Sequence, residues 1–216
     1  KLENGLRDLG SFDGKQYEYA FLDELSELDR KALRERRIFN STIASRKMPA
    51  GIILSEEEDT SIVLNGTDHI RLQILSPGLN LEALWKQADR LDDYINERFS
   101  YAFDKKYGYL TSFPTNMGTG MRASVVLHLP SLSLGKKFGE LVSEMGRFGA
   151  SVKGVYGEGS ENYGALFQVA NQKTLGLTEK EIVDLVGRVA TQLLNQERQV
   201  RAMALKKHRL ECQDEA

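Results

Sequence analysis

A polar, glycine-rich segment carries the residue types that are best suited to binding an anion. It spans residues 111–124 and reads TSFPTNMGTGMRAS. Such a loop can point backbone N–H groups and hydroxyls at an anion, and Arg122 adds a planar guanidinium that stays charged. The segment has neither the Lys-Ser/Thr pair of a Walker A loop nor the G-x-G-x-x-G spacing of a dinucleotide fingerprint. Taken alone, it predicts either a phosphate-binding loop or a plain structural turn.

A second segment places one carboxylate among glycines. Residues 153–160 read KGVYGEGS, so Glu158 lies between Gly157 and Gly159. Glycines allow the backbone to approach a ligand closely, and a carboxylate on such a loop can accept hydrogen bonds from a cationic substrate. The alternative interpretation is a hairpin with an exposed glutamate.

A third segment, residues 65–71 (NGTDHIR), combines a turn with a histidine and an arginine. His69 and Arg71 alternate with apolar residues, so in a strand their side chains share one face, beside solvent or a cleft. For His69, a structural role is the alternative to a functional one. No second histidine lies at ligand spacing, and Cys212 is the single cysteine. The sequence therefore predicts neither a metal held by protein side chains nor a disulfide framework.

The composition is that of an ordinary globular protein. Of the 216 residues, 41% are hydrophobic and 28% charged, and the formal net charge is −2. These values exclude collagen-like and disordered chains and argue against nucleic-acid binding. No apolar run approaches the roughly 20 residues that a membrane helix needs. We therefore expect one domain over residues 1–216, no nucleic acid and no membrane as partner, and a cytoplasmic location.

Short runs with strand-like patterns dominate the middle of the chain. They lie at residues 17–22, 50–54, 60–64, 69–75, 107–113, 122–129, 151–156 and 164–170. Asn65-Gly66 between two of these runs predicts a hairpin, because both residues tolerate a positive φ angle. Adjacent strands are therefore expected to be antiparallel.

Helical periodicity occupies the spaces between the strand-like runs. Asn80 is the expected N-cap of a helix that ends near Phe99, and Thr178 with Glu181 has the spacing of a capping box that opens a long helix. Shorter helices are expected over residues 26–37 and 133–148. The alternation predicts an α+β fold, an antiparallel β-sheet flanked by α-helices, rather than a doubly wound parallel sheet.

Taken together, these segments resemble the phosphagen (guanidino) kinase family. The resemblance rests on three motifs in the same order: Asn65 with DHIR at residues 68–71, residues 108–124, and Gly154 with Gly157-Glu158. Residues 101–104 (YAFD), 156–161 (YGEGSE) and 166–172 (LFQVANQ) are most similar to the bacterial protein-arginine kinases. The resemblance covers nearly the whole chain. We expect that the chain lacks the family's N-terminal strand and C-terminal extension.

The resemblance implies ATP with Mg²⁺ as cofactor and transfer of the γ-phosphoryl group to a guanidinium nitrogen of arginine in a protein. It assigns catalytic roles to Glu158, Arg71 and Arg122: Glu158 orients the guanidinium, and the arginines neutralise phosphate charge. The ATP-binding residues that it implies are Arg71, Arg122, Ala123, Ser124, Val125, Val126, Lys153, Gly154, Val155, Tyr156, Gly157 and Glu158. It implies no protein ligand for the metal, since the nucleotide and water would hold Mg²⁺.

Three departures from the family pattern leave two further hypotheses. Gly66-Thr67 stand where the family usually has two glutamates, Phe113 stands in place of a reactive cysteine, and Lys153 in place of an arginine. The alternatives to a protein-arginine kinase are a catalytically impaired, nucleotide-binding pseudokinase or regulatory scaffold, and a kinase of a small free guanidino compound.

The resemblance also implies partners. These are protein substrates with exposed arginines, a zinc-binding activator protein, the Clp protease machinery of the stress response, and a second copy in a homodimer.

Overall fold

The computed structural model describes residues 2–38, 43, 49–155 and 163–207. The chain forms two compact units, residues 1–102 and residues 103–216. The assignment of residues 1–216 to a single catalytic domain stays a prediction. Within the described ranges, no helix combines the length and apolar character that crossing a membrane requires.

A four-stranded antiparallel sheet forms the centre of the first unit. In space its strands follow the order β1 (Tyr17–Phe21), β2 (Gly51–Ser55), β3 (Thr60–Leu64) and β4 (Ile70–Ile74). The helices of this unit are α1 (Leu2–Gly5), α2 (Leu9–Asp13), α3 (Glu27–Glu35) and α4 (Leu81–Arg98). Every strand pair in this sheet is antiparallel, as the sequence predicted.

Both faces of this sheet are covered near its central strand β3. Ile62 and Leu64 pack in one hydrophobic cluster with Ile95 of α4, whereas Val63 packs with Ile38 in a second cluster. Because successive residues of a strand point to opposite faces and both faces are covered, β3 is buried along its whole length, and its last three residues are a continuous apolar run.

The predicted hairpin between β3 and β4 is confirmed, with a longer connection than the Asn-Gly pair alone. The strands are separated by residues 65–69, and the Asn65 N–H donates to the His69 carbonyl (2.8 Å). Asn65 adopts the positive φ angle (53°), and its Nδ2 donates to the Pro49 carbonyl (2.6 Å). Gly66 is buried beside Val63, so the loop is anchored on the sheet before β4 begins.

The second unit contains a two-stranded and a three-stranded antiparallel sheet among its described residues. The first pairs β5 (Phe103–Asp104) with β6 (Gly108–Tyr109), and the second has the order β7 (Ser124–His128), β9 (Leu166–Asn171), β8 (Ala150–Gly154). The helices are α5 (Pro130–Ser133), α6 (Phe138–Arg147) and α7 (Glu179–Lys207), with 3-10 turns at Pro114–Asn116 and Tyr163–Ala165. The predicted capping box is confirmed: Glu181 N–H donates to Thr178 Oγ1 (3.3 Å), and Thr178 N–H donates to Glu181 Oε2 (2.7 Å).

Three predicted elements differ in detail. The strand expected at residues 107–113 is limited to β6, because the chain then enters the 3-10 turn at Pro114. The helix expected at 133–148 begins later, at Phe138 of α6, since Ser133 instead ends the separate helix α5, and the Gly135 carbonyl accepts a hydrogen bond from the Phe138 N–H (3.0 Å) in the turn between them. Asn80 does not cap α4 with its side chain, because its Nδ2 donates to the Pro77 carbonyl (2.9 Å).

A buried carboxylate of α7 holds the N-terminus of α5. Glu197 is 2% exposed and accepts hydrogen bonds from the N–H groups of Ser131 (3.2 Å) and Leu132 (2.8 Å) and from Arg201 Nη2 (2.9 Å). Burial alone would raise the pKa of Glu197, but the backbone donors and the guanidinium outweigh it and hold this pKa below its usual range. The ionised side chain therefore ties two helices together.

Replacing this carboxylate tests its contribution to stability. Glu197→Gln removes one acceptor oxygen and should lower the free energy of unfolding at pH 7 by about 1–3 kcal/mol. Because the folded-state pKa is lowered, the stabilisation is complete above the unfolded-state pKa of about 4.3 and is lost as the pH falls through the folded value. Urea unfolding at pH 7 and at decreasing pH measures both effects, with exposed Glu144→Gln on α6 as the matched control. Equal midpoints for the two variants at pH 7 would contradict this account.

Candidate functional site

The three-stranded sheet of the second unit carries one polar face. The pairing of β7, β9 and β8 places Val126, Gln168 and Lys153 in one row across the sheet. A second row contains Ser124, Ala170 and Ser151, because cross-strand partners point to the same side. We call these six residues, together with His128 and Leu166 at the next position of the same alternation, the open face.

Helices cover the opposite face of this sheet, whereas the exposed residues of the open face lie on its two outer strands, and Ala170 on the central strand is 6% exposed. Leu127 is 5% exposed, whereas its neighbour Val126 is 44% exposed. The covered side includes Phe167, whose ring makes an edge contact with Phe138 of α6 (centroids 4.8 Å apart), and Val169, which is fully buried. An exposed valine within a polar sheet surface is suited to contact the flat apolar part of a ligand.

Two described cationic residues, Lys153 and Arg122, belong to the strands of the open face or directly precede them. Lys153 lies on β8 and is exposed, and Arg122, also exposed, precedes the first strand residue Ser124 by two positions. Arg122 Nη2 lies 3.5 Å from Asn116 Oδ1, a long hydrogen bond to the preceding 3-10 turn. None of the eight open-face residues, all of them described, is acidic. This surface therefore favours an anionic ligand.

The glycine-rich segment is held against two neighbouring chain segments. Gly118 exchanges two backbone hydrogen bonds with Tyr109 (2.8 and 3.3 Å), and it has a φ angle of 104°. A Cβ atom at Gly118 would lie 2.5 Å from the Thr174 carbonyl oxygen, so only glycine fits this crossing. Phe113, by contrast, is 50% exposed at the start of the turn.

Arg71 lies in the first unit, on the edge strand β4 opposite Val63. Its Nη2 donates to Gln73 Oε1 (3.0 Å), and Gln73 Nε2 donates to the carbonyl of Arg37 (2.8 Å). The guanidinium is therefore exposed on the sheet face that also carries Gln73. The convergence of Arg71 with the cations of the second unit stays a prediction.

The predicted site residues of the second unit are brought together in part. Ser124, Val126 and Lys153 share the open face, whereas Val125 pairs with Val169 on the covered side and offers a ligand only its backbone. The other described candidates continue the same strands: Arg122 and Ala123 precede β7, Gly154 ends β8, and Val155 follows it. Tyr156, Gly157 and Glu158 lie outside the described residues.

Sequence reasoning missed several neighbours of this surface. Gln168, Ser151 and His128 join the open face only through the strand register, which the alternation of a single strand does not reveal. No group of three or more potential metal-ligating side chains occurs within the described part of the chain.

Comparison with known proteins decides the family. Residues 4–200 match the family described as ATP:guanido phosphotransferase, C-terminal catalytic domain. The chain belongs to this guanidino phosphotransferase family. Protein-arginine kinase of Halothermothrix orenii is 43% identical over 208 residues, which are 96% of this chain and 60% of that protein. Protein-arginine kinase of Clostridium tetani is 41% identical over 199 residues, 92% of this chain and 58% of that protein.

Solved structures of guanidino kinases share the fold. Lombricine kinase superposes with a TM-score of 0.78 at 24% identity, over 93% of this chain and 59% of that chain. The duplicated taurocyamine kinase of Schistosoma mansoni with bound transition state analog components gives a TM-score of 0.77 at 27% identity. The match covers 96% of this chain and 30% of that chain. The predicted α+β class is confirmed. The chain spans about 60% of the length of the protein-arginine kinases that it matches.

Substitution of Gly118 tests the close crossing of the glycine-rich segment. Gly118→Ala should destabilise the guanidino phosphotransferase fold by at least about 2 kcal/mol, because it adds backbone strain at positive φ to a contact with the Thr174 carbonyl. Gly139→Ala on α6 is the matched control. A Cβ there meets no atom within 4 Å, so this change should stabilise the helix by about 0.5–1 kcal/mol. Thermal unfolding that gives both variants the same midpoint would contradict the requirement for glycine at position 118.

Proposed function

We propose that this chain is the catalytic domain of an ATP-dependent protein-arginine kinase. The donor is ATP with Mg²⁺, and the acceptor is a guanidinium nitrogen of arginine residues in proteins. The similarity to proteins named protein-arginine kinase supports the acceptor class. The open face supports the proposed binding of the nucleotide. Lys153 is its charged residue, and Arg122 lies just before its strand β7.

The proposed work of this surface is positioning and charge neutralisation. Phosphoryl transfer asks little covalent chemistry of a protein, but it requires that the phosphate oxygens are held and their developing charge is offset. The planar fork of Arg122 suits two phosphate oxygens at once, whereas Lys153 acts as a compact point charge. We propose Arg71 as a third cation from the first unit. On the open face itself, Ser124 and Gln168 supply neutral hydrogen-bonding groups.

The proposed transfer is a single displacement at phosphorus. A guanidinium nitrogen of the substrate forms a bond to the γ-phosphorus while the bond from that phosphorus to the bridging oxygen of ADP breaks. The electron pair of that bond stays on the ADP oxygen, and the proton that the nitrogen loses passes to water. Magnesium ion, when bound with the nucleotide through phosphate oxygens and water, offsets phosphate charge. The orienting role that the resemblance gives to Glu158 stays a prediction, since Glu158 lies outside the described residues.

Two positions support the alternative of a nucleotide-binding pseudokinase or regulatory scaffold. Thr67, in the loop between β3 and β4, has a hydroxyl that does not act as a base near neutral pH, and the half-exposed ring of Phe113 has no thiol. Neither substitution replaces one of the cations proposed for the nucleotide, which are Arg71, Arg122 and Lys153. The expected consequence of this alternative is therefore nucleotide binding without transfer. A kinase of a small free guanidino compound is the third candidate.

The proposed partners follow from the proposed acceptor. The proposed substrates are proteins with exposed arginines. The further proposed partners are a zinc-binding activator, the Clp protease machinery and a second copy of the chain. The proposed location is the cytoplasm, and the proposed role is in the stress response.

A labelling experiment distinguishes the three candidates. Purified chain is incubated with Mg²⁺ and ATP radiolabelled in the γ-phosphate, together with an arginine-rich protein or the same protein with lysine in place of arginine. We expect acid-labile label on the arginine-rich protein alone, because an N–P bond is cleaved by acid. Label on added free arginine instead would identify the small-compound kinase, and nucleotide binding without any label would contradict catalysis.

A substitution tests the proposed phosphate contact. Arg122→Ala should weaken binding of Mg²⁺·ATP by about 1–3 kcal/mol, the scale of a charge-assisted hydrogen bond. Arg188→Ala is the matched control, because Arg188 is exposed on α7, whose buried residues pack against the opposite face of the sheet. Isothermal titration calorimetry measures both affinities. Unchanged affinity in a folded Arg122→Ala variant would remove Arg122 from the phosphate contact.

A further inference from the structure

One buried carboxamide contacts both peptide groups that flank Arg122. Asn171, at the end of β9, is 0% exposed, and its Oδ1 accepts a hydrogen bond from the Ala123 N–H (2.9 Å). Its Nδ2 donates to the carbonyls of Met121 (3.2 Å) and Lys173 (2.9 Å). The Met121 carbonyl belongs to the peptide bond before Arg122, and the Ala123 N–H belongs to the peptide bond after it.

This pattern fixes the direction in which Arg122 leaves the backbone. Anchoring both flanking peptide planes restricts the φ and ψ angles of Arg122, and these angles set the Cα–Cβ direction. The long contact of its guanidinium with Asn116 (3.5 Å) adds little restraint at the far end of the side chain. Only a carboxamide of this length supplies an acceptor and two donors: aspartate lacks the donors, and glutamine is one methylene longer.

A second buried side chain holds the segment that leads into Arg122. Thr174 Oγ1 lies within donating distance of the carbonyls of Thr115 (3.1 Å) and Met117 (2.6 Å). The Thr174 carbonyl accepts from the Thr119 N–H (3.1 Å), and the Thr119 hydroxyl accepts from the Met121 N–H (3.3 Å). Residues 115–123 are therefore attached at several points to the stretch of chain that joins β9 to α7.

We propose that Asn171 is a positioning residue for Arg122 and that Thr174 assists it by holding residues 115–121. The inference rests on the proposed function, because it concerns the same nucleotide contact. Neither side chain belongs to the open face. Asn171 follows the alternation of Phe167 and Val169, which lie on the covered side, and the side chains of Asn171 and Thr174 both bond to backbone groups. Their effect on a ligand therefore passes through Arg122 and concerns the phosphates, whereas contacts with the nucleoside are independent of them.

The test uses the full chain and measures binding of Mg²⁺·ATP and of adenosine by calorimetry. Asn171→Ala should weaken Mg²⁺·ATP binding about tenfold to hundredfold, the scale of a misplaced binding group, and leave adenosine binding unchanged. Thr174→Val, which keeps the side-chain shape, should weaken Mg²⁺·ATP binding in the same direction by a smaller factor. Asn195→Ala, an exposed asparagine of α7, is the matched control and should change neither affinity.

A double-mutant cycle separates positioning from a general structural role. In an Arg122→Ala background, Asn171→Ala should have no further effect on Mg²⁺·ATP affinity, because the group that it positions is absent. A loss that is undiminished in that background, or an equal loss of adenosine affinity, would overturn the inference. If Asn171→Ala fails to fold, Thr174→Val and its double variant with Arg122→Ala give the same comparison.

The outcomes also distinguish this inference from the proposed function. Wild-type chain that binds Mg²⁺·ATP, with Asn171→Ala and Thr174→Val binding it equally well, would overturn the positioning role alone. Wild-type chain that fails to bind Mg²⁺·ATP would overturn the proposed function and the positioning role with it.

Discussion

The candidate site depends on the unequal environments of the two faces of one antiparallel sheet. Side chains alternate along each strand, so the register of β7, β9 and β8 sorts every residue to one side or the other. The packing of α7 on one side accounts for the burial of Val169 and Leu127. Lys153 and Gln168 lie on the other side, where Lys153 is exposed and Gln168 is partly exposed. A one-residue slip of register would exchange these two sets.

Buried polar side chains hold the segments next to this sheet in place. Glu197 satisfies the N–H groups at the start of α5, and Asn171 satisfies peptide groups on both sides of Arg122. A buried polar atom without a partner costs free energy, so each of these bonds is obligatory for the segments it joins. Asn171 lies at the end of strand β9, and its partners Met121 and Ala123 lie in the irregular segment that precedes β7. Strand β9 thereby fixes the end of the glycine-rich segment through Asn171, whereas Glu197 joins two helices.

The sequence predicts best what short-range chemistry determines. The capping box of Thr178 and Glu181 involves residues three apart, and the β3–β4 hairpin contains an asparagine that tolerates positive φ. The cationic candidates Arg122 and Lys153 were also found from residue type. The role of Gln168 and the contacts of Asn171 were not, because they depend on which strands pair and in what register. The strand expected at 107–113 is limited to β6, where Tyr109 pairs with Gly118, a residue nine positions along the chain that the alternation pattern does not indicate as a partner.

The central claim is that the open face of β7, β9 and β8 binds the nucleotide. Methyl-labelled NMR spectra recorded while Mg²⁺·ATP is added test this claim directly. Two valines on adjacent strands provide the comparison: Val126 is exposed on the open face, and Val169 is fully buried on the covered one. The account predicts that the methyl signals of Val126 shift in a saturable manner while those of Val169 remain in place. Saturable binding that leaves the Val126 signals unmoved would contradict it.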